Sequence, residues 1–188
     1  MAIREILTFP NPKLRQKTET VETFDMELER LVEDMFDTMY DAPGVGLAAN
    51  QIGISLRVAV LDVNYEVEGE DELTRRLRNK NPQVFINPAL LEKSGKILFK
   101  EGCLSVPGFS EQVNRFEKVR LSFQDVTGKL CELNAEGLLA IAIQHEIDHL
   151  EGRLYLDRLS EVKKMRIKGK LIKNRSKKFE RSKFHVEL

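Results

Sequence analysis

A chain of 188 residues, 41% apolar and 32% charged, is long enough to bury one sizeable core and short enough that one domain is the default. No apolar run reaches bilayer-spanning length, and the N-terminal stretch MAIREILTFPNPKLR lacks both the apolar centre of a signal peptide and the acid-poor character of a transit peptide. Both features point to a cytosolic protein, in which the two cysteines, Cys103 and Cys131, are better read as buried, catalytic or metal-bound than as a disulfide. The net charge of zero divides unevenly: residues 160–188 hold eleven Lys or Arg against three Glu, so a basic tail of +8 follows a body of −8. Such a tail is a solvated helix face or, on the sharper reading, a contact for an anionic partner such as RNA.

In chain order, Phe24, Leu28, Leu31, Val32, Met35, Phe36 and Met39 recur at three- and four-residue steps and predict an amphipathic helix packed on a core. Pro43 disfavours helical geometry at Ala42, so the helix should stop there. GVGLAANQIG, Gly44 to Gly53, comes next, followed by a strand over Val58 to Val63. Asn64 to Asn81 is acidic first and basic after, and reads as an exposed insertion. Separate strands are expected at Gln83 to Asn87, Ala89 to Glu92 and Lys96 to Lys100, then a turn-rich EGCLSVPG. Alternation of Val119, Leu121 and Phe123 marks a strand over Lys118 to Gln124, and VTGK turns it into another at Leu130 to Leu133. LLAIAIQHEIDHL has no room for a polar stripe in its first half, so it should be a buried helix. Val162, Met165, Ile172 and Phe179 form a narrow apolar stripe in a basic C-terminal helix. The resulting class is α+β, with mixed or antiparallel sheets wrapped around the helix of residues 138–150, in one domain over 1–160 plus a basic helix or tail over 161–188.

The chemistry concentrates in QHEIDHLEG. Residues four apart on a helix differ by about 40° around the axis, so His145 and His149 share a face, with about 6 Å between their Cβ atoms, and one cation can bind both. Glu146 lies roughly 60° further round, within reach of a water on that cation without being a ligand. A helix simply emerging into water is the bland alternative, but Ile147 and Leu150 continue the apolar pattern, and burying three ionisable groups unpartnered costs several kcal/mol each. A catalytic centre wants a third protein ligand and an open position. Tyr155 stands where the extended H-E-x-x-H-x-x-G-x-x-H pattern has its last histidine, and His185 is far off in the basic tail. A thiolate remains. Cys103, in irregular backbone flanked by Gly102, Pro107 and Gly108, is favoured over Cys131, which sits in a strand pattern and reads as a small core residue. Gly44, Gly46 and Ala49 formally fit the dinucleotide fingerprint, but a helix precedes them and a strand follows, the reverse of what that fingerprint needs, so no nucleotide cofactor is expected. Backbone approaching a substrate, with Gln51 as an amide donor, is the more useful reading.

GVGLAANQIG, EGCLSVPG and QHEIDHLEG, in this order and at these separations, closely resemble peptide deformylase, from the N-terminus to about Ser160. The resemblance implies an enzyme of protein biosynthesis that removes the formyl group from the formyl-Met of new polypeptides, with Cys103, His145 and His149 as metal ligands. It implies ferrous iron as the usual native metal, with zinc, nickel or cobalt able to substitute; a thiolate with two imidazoles suits any of these. On this reading Glu146 takes a proton from metal-bound water, which attacks the formyl carbon, while Leu104 N–H and the Gln51 amide stabilise the developing oxyanion. It further implies that the substrate backbone pairs with Gly44, Val45 and Gly46, that Val45, Leu138 and Ile141 line an apolar methionine pocket, and that Glu101 sits at its edge, with Arg115 as its expected charge partner. For Leu138 and Ile141, plain core packing is the alternative. Because the substrate emerges from ribosomes, the basic tail is expected to contact ribosomal RNA. No membrane partner is expected. The rival readings are another H-E-x-x-H metallopeptidase and a non-catalytic ribosome- or RNA-binding protein with a structural metal; the missing third histidine and the intact Glu146 weigh against them.

Overall fold

The computed structural model describes residues 2–68 and 76–183. Helix α1, Met26–Asp41, starts at Asp25, whose carboxylate accepts from the backbone N–H of Glu27 and Leu28 at 3.0 Å each. Glu27 and Glu29 in the first turn complement the positive end of the helix dipole. The apolar stripe buries Leu28, Val32, Met35 and Met39, and the helix ends at Ala42, before Pro43.

The main sheet has five antiparallel strands in the order β1-β2-β5-β8-β9: β1 Gly46–Ala48, β2 Val58–Leu61, β5 Gln83–Ser94, β8 Lys118–Gln124 and β9 Leu130–Glu136. Two hairpins stand apart from it, β3 Glu66–Glu68 with β4 Arg76–Arg78, and β6 Ile97–Gly102 with β7 Ser110–Arg115. The two short strands expected on either side of Pro88 are one long strand. Proline cannot donate to the ladder, but the sheet absorbs it as an irregularity between Ile86 and Ala89, with Asn87 at φ 52°. Asn87 is fixed there by its side chain, which accepts from Val21 N–H at 2.8 Å and donates to Val21 C=O at 2.9 Å.

Helix α2, Gly137–Leu150, follows β9 directly and packs on β1, β2, β8 and β9. Its Ala140, Ala142 and Ile143 join Leu61, Phe85, Val119 and Leu121 in one core cluster, while α1, β1, β2 and β5 share another. Where α2 ends, Gly152 adopts φ 71°, and a Cβ there would lie 2.5 Å from the Arg15 carbonyl, so this turn requires glycine.

Helix α3, Glu161–Lys183, corrects the expected stripe. Val162, Met165 and Ile172 are exposed, and Ile167 and Leu171, one turn apart, are the residues buried against Leu14, Val106, Val113, Leu154 and Leu156. In a helix with so few apolar residues, tertiary docking and not spacing selects the buried face. In the insertion Glu66, Glu68, Arg78 and Lys80 are exposed as expected, while Tyr65 and Leu77 pack on the α1 core. Cys131 is half-buried on the edge strand β9, not a core residue. Glu70, Asp71, Glu72, Arg75 and His185, and the Phe179 side chain, lie outside what is described.

Candidate active site

The α2 helix presents His145, Glu146 and His149, and the loop between β6 and β7 presents Cys103. Ligand-capable atoms of Cys103, His145 and His149 all lie within 4.8 Å of one another. The Cys103 Sγ is 3.1 Å from His149 Nε2. On the other ring, His145 Nδ1 is 2.8 Å from Glu101 Oε2, which accepts its hydrogen and leaves Nε2 for a cation. Burial pushes the His149 imidazole well below its usual pKa, so it stays neutral with a lone pair to give. For His145 burial also disfavours charge, but the Cys103 sulfur and Glu101 outweigh it and hold the ring well above its usual range. Two imidazole nitrogens and a cysteine sulfur at these separations are the donor set of a borderline transition metal such as zinc or ferrous iron, so the residues present fit one.

Glu146 is buried, its Oε2 has no hydrogen-bond partner among the described residues, and burial raises its carboxyl to a pKa of about 7. A buried carboxylate oxygen without a donor asks for a ligand or water, and such a pKa suits a proton shuttle near neutrality. The backbone opposite is Gly46: a Cβ there would stand 2.4 Å from Glu146 Oε1 and 2.7 Å from Leu61 Cδ2.

Behind the histidines lies a buried charge network. Arg115, its side chain fully buried, donates to Glu101 at 2.6 and 2.9 Å and to Asp148 at 2.6 Å, and Asp148 also accepts from Arg158 at 2.5 and 2.6 Å. Burial disfavours both carboxylates, but their cationic partners prevail and hold Glu101 and Asp148 below the usual range. Arg115 occupies the place expected for it beside Glu101; Asp148 and Arg158 were not anticipated. The signal available was an acid three residues after His145, about 60° from it around the helix and away from Glu146, which spacing alone does not separate from a surface acid. Tyr155, at the position where a third histidine fails to appear, stacks on His145 with ring centroids 6.3 Å apart and donates to Phe109 C=O at 3.1 Å.

These groups open onto a cleft of about 590 Å³. Its lining brings together Gly44, Val45, Gly46, Gln51, Glu101, Cys103, Leu104, Leu138, Ile141, His145 and Glu146, the sequence-expected residues other than His149, which stands behind Cys103. Val45 and Leu138 are 43% and 42% exposed, apolar surface left open to a ligand, whereas Ile141 is buried. The Gln51 carbonyl accepts from Ala48 N–H at 2.8 Å, which turns its amide nitrogen to Ser105 Oγ, at 3.1 Å, and toward Cys103 Sγ, at 3.8 Å. Among the described strands β1 pairs with β2 alone, so its other edge is open beside the cleft.

Fold and site together define a class: an α+β protein whose buried helix and a neighbouring loop form a Cys–His–His metal-binding geometry, with a glutamate beside it, in a cleft bordered by an open strand. Comparison gives the family. The family model of polypeptide deformylase matches residues 3–165, and the chain belongs to that enzyme family. The peptide deformylase of Azotobacter vinelandii is 49% identical over 176 residues, covering 92% of this chain and 96% of that protein. That of Alkalilimnicola ehrlichii is 46% identical over 173 residues, covering 92% and 91%. The crystal structure of a peptide deformylase from Legionella pneumophila superposes with a TM-score of 0.81 at 46% identity, over 94% of this chain and 98% of that one. The Ehrlichia chaffeensis enzyme in complex with actinonin gives 0.83 at 38% identity, over 93% and 98%. Among the described residues no helix is long and apolar enough to cross a membrane.

Proposed function

We propose that this chain hydrolyses the N-terminal formamide of formyl-Met on newly made polypeptides, in the cytoplasm, releasing formate and a free amine. The observation that carries the reading is the convergence of Cys103, His145 and His149 next to a buried Glu146 at the wall of a peptide-sized cleft. Cys103, His145 and His149 would hold one divalent ion, with ferrous iron as the native choice and zinc, nickel or cobalt as substitutes. When bound, that ion supplies Lewis acidity, polarising the formyl oxygen and making water a better nucleophile at neutral pH.

The chain's own residues do the rest. Glu146, poised near neutrality, removes a proton from the attacking water and later returns it to the departing amine, so acid and base are one group at two moments. The Gln51 amide, anchored through its oxygen to Ala48, and the Leu104 N–H donate to the formyl oxygen as it gains charge; losing one such donor costs about 100-fold or more in rate. Val45, Leu138 and Ile141 receive the methionine side chain. The peptide backbone lies along Gly44–Gly46 and adds to the open edge at Gly46, in a recognition that reads main chain and therefore tolerates any nascent sequence.

Formate release from a formyl-Met tripeptide by anaerobically prepared, iron-loaded protein tests the reading. Turnover is expected for wild type and its loss for Glu146→Ala with metal retained; absence of wild-type turnover overturns it. The exposed cations Lys170 and Lys173 on α3 are proposed to contact ribosomal RNA. Exchanging both for Ser should weaken ribosome binding at low salt and flatten its salt dependence, and unchanged binding removes this partner. Because Ile167 and Leu171 of the same helix are core residues, charge exchange is a cleaner perturbation than truncation.

A further inference from the structure

We propose that Tyr65 is a positioning residue of the cleft: its hydroxyl holds Gly44 against Leu104, so that the base of the 64–81 insertion braces the edge on which the peptide backbone pairs. This rests on the deformylase reading above and adds to it a residue that takes no part in the chemistry.

The brace follows from strand geometry. Val45 C=O accepts from Asp62 N–H at 2.9 Å, so the polar groups of Val45 face β2 and those of Gly44 and Gly46 face away from it. Both backbone groups of Gly44 are occupied: its N–H donates to Met39 C=O at 2.9 Å, and its C=O accepts from Tyr65 Oη at 3.0 Å. Pro43, before it, has no N–H to give. Gly44 is buried, and a Cβ on it would meet Leu104 Cδ1 at 2.7 Å, so the Leu104 side chain lies flush on this residue. Tyr65 thus fixes one wall of the cleft at the point where it touches the loop carrying Cys103 and Leu104.

Tyr65 is itself anchored. Asp62, buried at the end of β2, accepts from the N–H groups of Asn64 and Tyr65 at 3.0 and 3.1 Å, from Asn81 N–H at 2.8 Å and from the Tyr40 hydroxyl at 2.7 Å. Both ends of the insertion are therefore tied to one carboxylate, and the Tyr65 ring packs edge-on to Tyr40, with centroids 5.1 Å apart at 85°. Strand addition depends on an edge that is ordered before the peptide arrives, and a buried carbonyl that loses its donor either shifts or admits water.

Tyr65→Phe keeps the ring against Tyr40 and removes only the hydroxyl. KM for a formyl-Met tripeptide, which extends along residues 44–46, should rise about three- to tenfold, the effect of one net hydrogen bond, with kcat within about twofold of wild type. KM for formyl-Met amide, too short to use that edge, should stay unchanged. A merely structural role would instead lower the active fraction and reduce kcat with both substrates alike, which refutes the proposal, as does an unchanged tripeptide KM. Amide hydrogen exchange over residues 42–48 provides a readout without turnover: it should quicken in Tyr65→Phe, and equal exchange overturns the brace even if wild type fails to release formate and the deformylase reading falls separately.

Discussion

Gly46→Ala adds one carbon where there is no room for it. The ideal Cβ stands 2.4 Å from Glu146 Oε1, 2.9 Å from Glu146 Cδ and 2.7 Å from Leu61 Cδ2, all below any tolerated carbon contact. Leu61 is buried on β2, and Glu146 is fixed on a buried helix, so neither swings freely away. Overpacking of this kind costs about 1–3 kcal/mol of stability, which a domain of this size survives. Catalysis is more sensitive, because a carboxylate displaced by about 1 Å loses roughly 100-fold in rate. The expected outcome is a folded, metal-binding variant with kcat/KM reduced about 100-fold and a melting temperature lowered by a few degrees. Gly44→Ala is an internal comparison: its contact is the flexible end of Leu104 at 2.7 Å, so a smaller loss, expressed mainly in KM, is expected. Formate release and thermal unfolding on matched metal-loaded samples check both. If Gly46→Ala keeps more than about a tenth of wild-type kcat/KM, the placement of Glu146 against β1 is not what the structure shows.

Glu146→Gln preserves volume and should retain metal while losing about 10²- to 10⁴-fold in kcat, measured by formate release alongside metal analysis. Arg115→Leu strands the buried acids Glu101 and Asp148 and should destabilise by about 3–5 kcal/mol in denaturant titration, with partial recovery on adding Glu101→Gln. For Asp34, the Ala2 backbone N–H at 2.7 Å and the Arg4 guanidinium hold the carboxyl below its usual range. A depressed folded-state pKa gives stability that is fully present above the ordinary Asp value, about 3.9, and is lost as pH falls through the folded value. Asp34→Asn should therefore flatten the acid limb of the stability curve below about pH 4, and a limb of unchanged slope would show that this contact is not linked to folding.

How much of this was legible in the sequence depended on how locally each feature is encoded. The α1 helix carries its own cap, stripe and stop in Asp25, Met35 and Pro43, and its bounds shift by only a residue or two from the periodicity. The His145–Glu146–His149 face is set by helical spacing alone, and the choice of Cys103 followed from glycine-rich backbone that could approach a metal. Nothing local says that Asp148 meets Arg115 and Arg158, because the three lie on α2, β7 and the turn before α3 and become neighbours only when these elements dock. The same applies to α3, where Val162 and Met165 offered as plausible a stripe as Ile167 and Leu171 until Leu14 and Leu154 chose between them. Charge density around Tyr65 concealed its packing on Tyr40 for an opposite reason: composition averages over a segment, whereas a brace needs one residue.

The buried Arg115 network is not needed for stability as such, since well-packed apolar residues of equal volume serve a core as well or better. Its position suggests another reason for it. The Cys–His–His triangle is assembled from two elements, a hairpin loop for the thiol and a helix for the imidazoles, and its dimensions depend on how one sits on the other. Arg115, on β7, ties Glu101 of β6 to Asp148 of α2, so a single guanidinium spans that junction. Glu101 then passes the constraint to the ring of His145 through Nδ1, and Asp148 neighbours His149 in the chain. Apolar contacts tolerate sliding by fractions of an ångström, but bidentate ion pairs with fixed fork geometry do not. A centre whose ligands come from separate elements gains from directional locks at their junction, and that accounts for charge in a place where hydrocarbon would fill the space equally well.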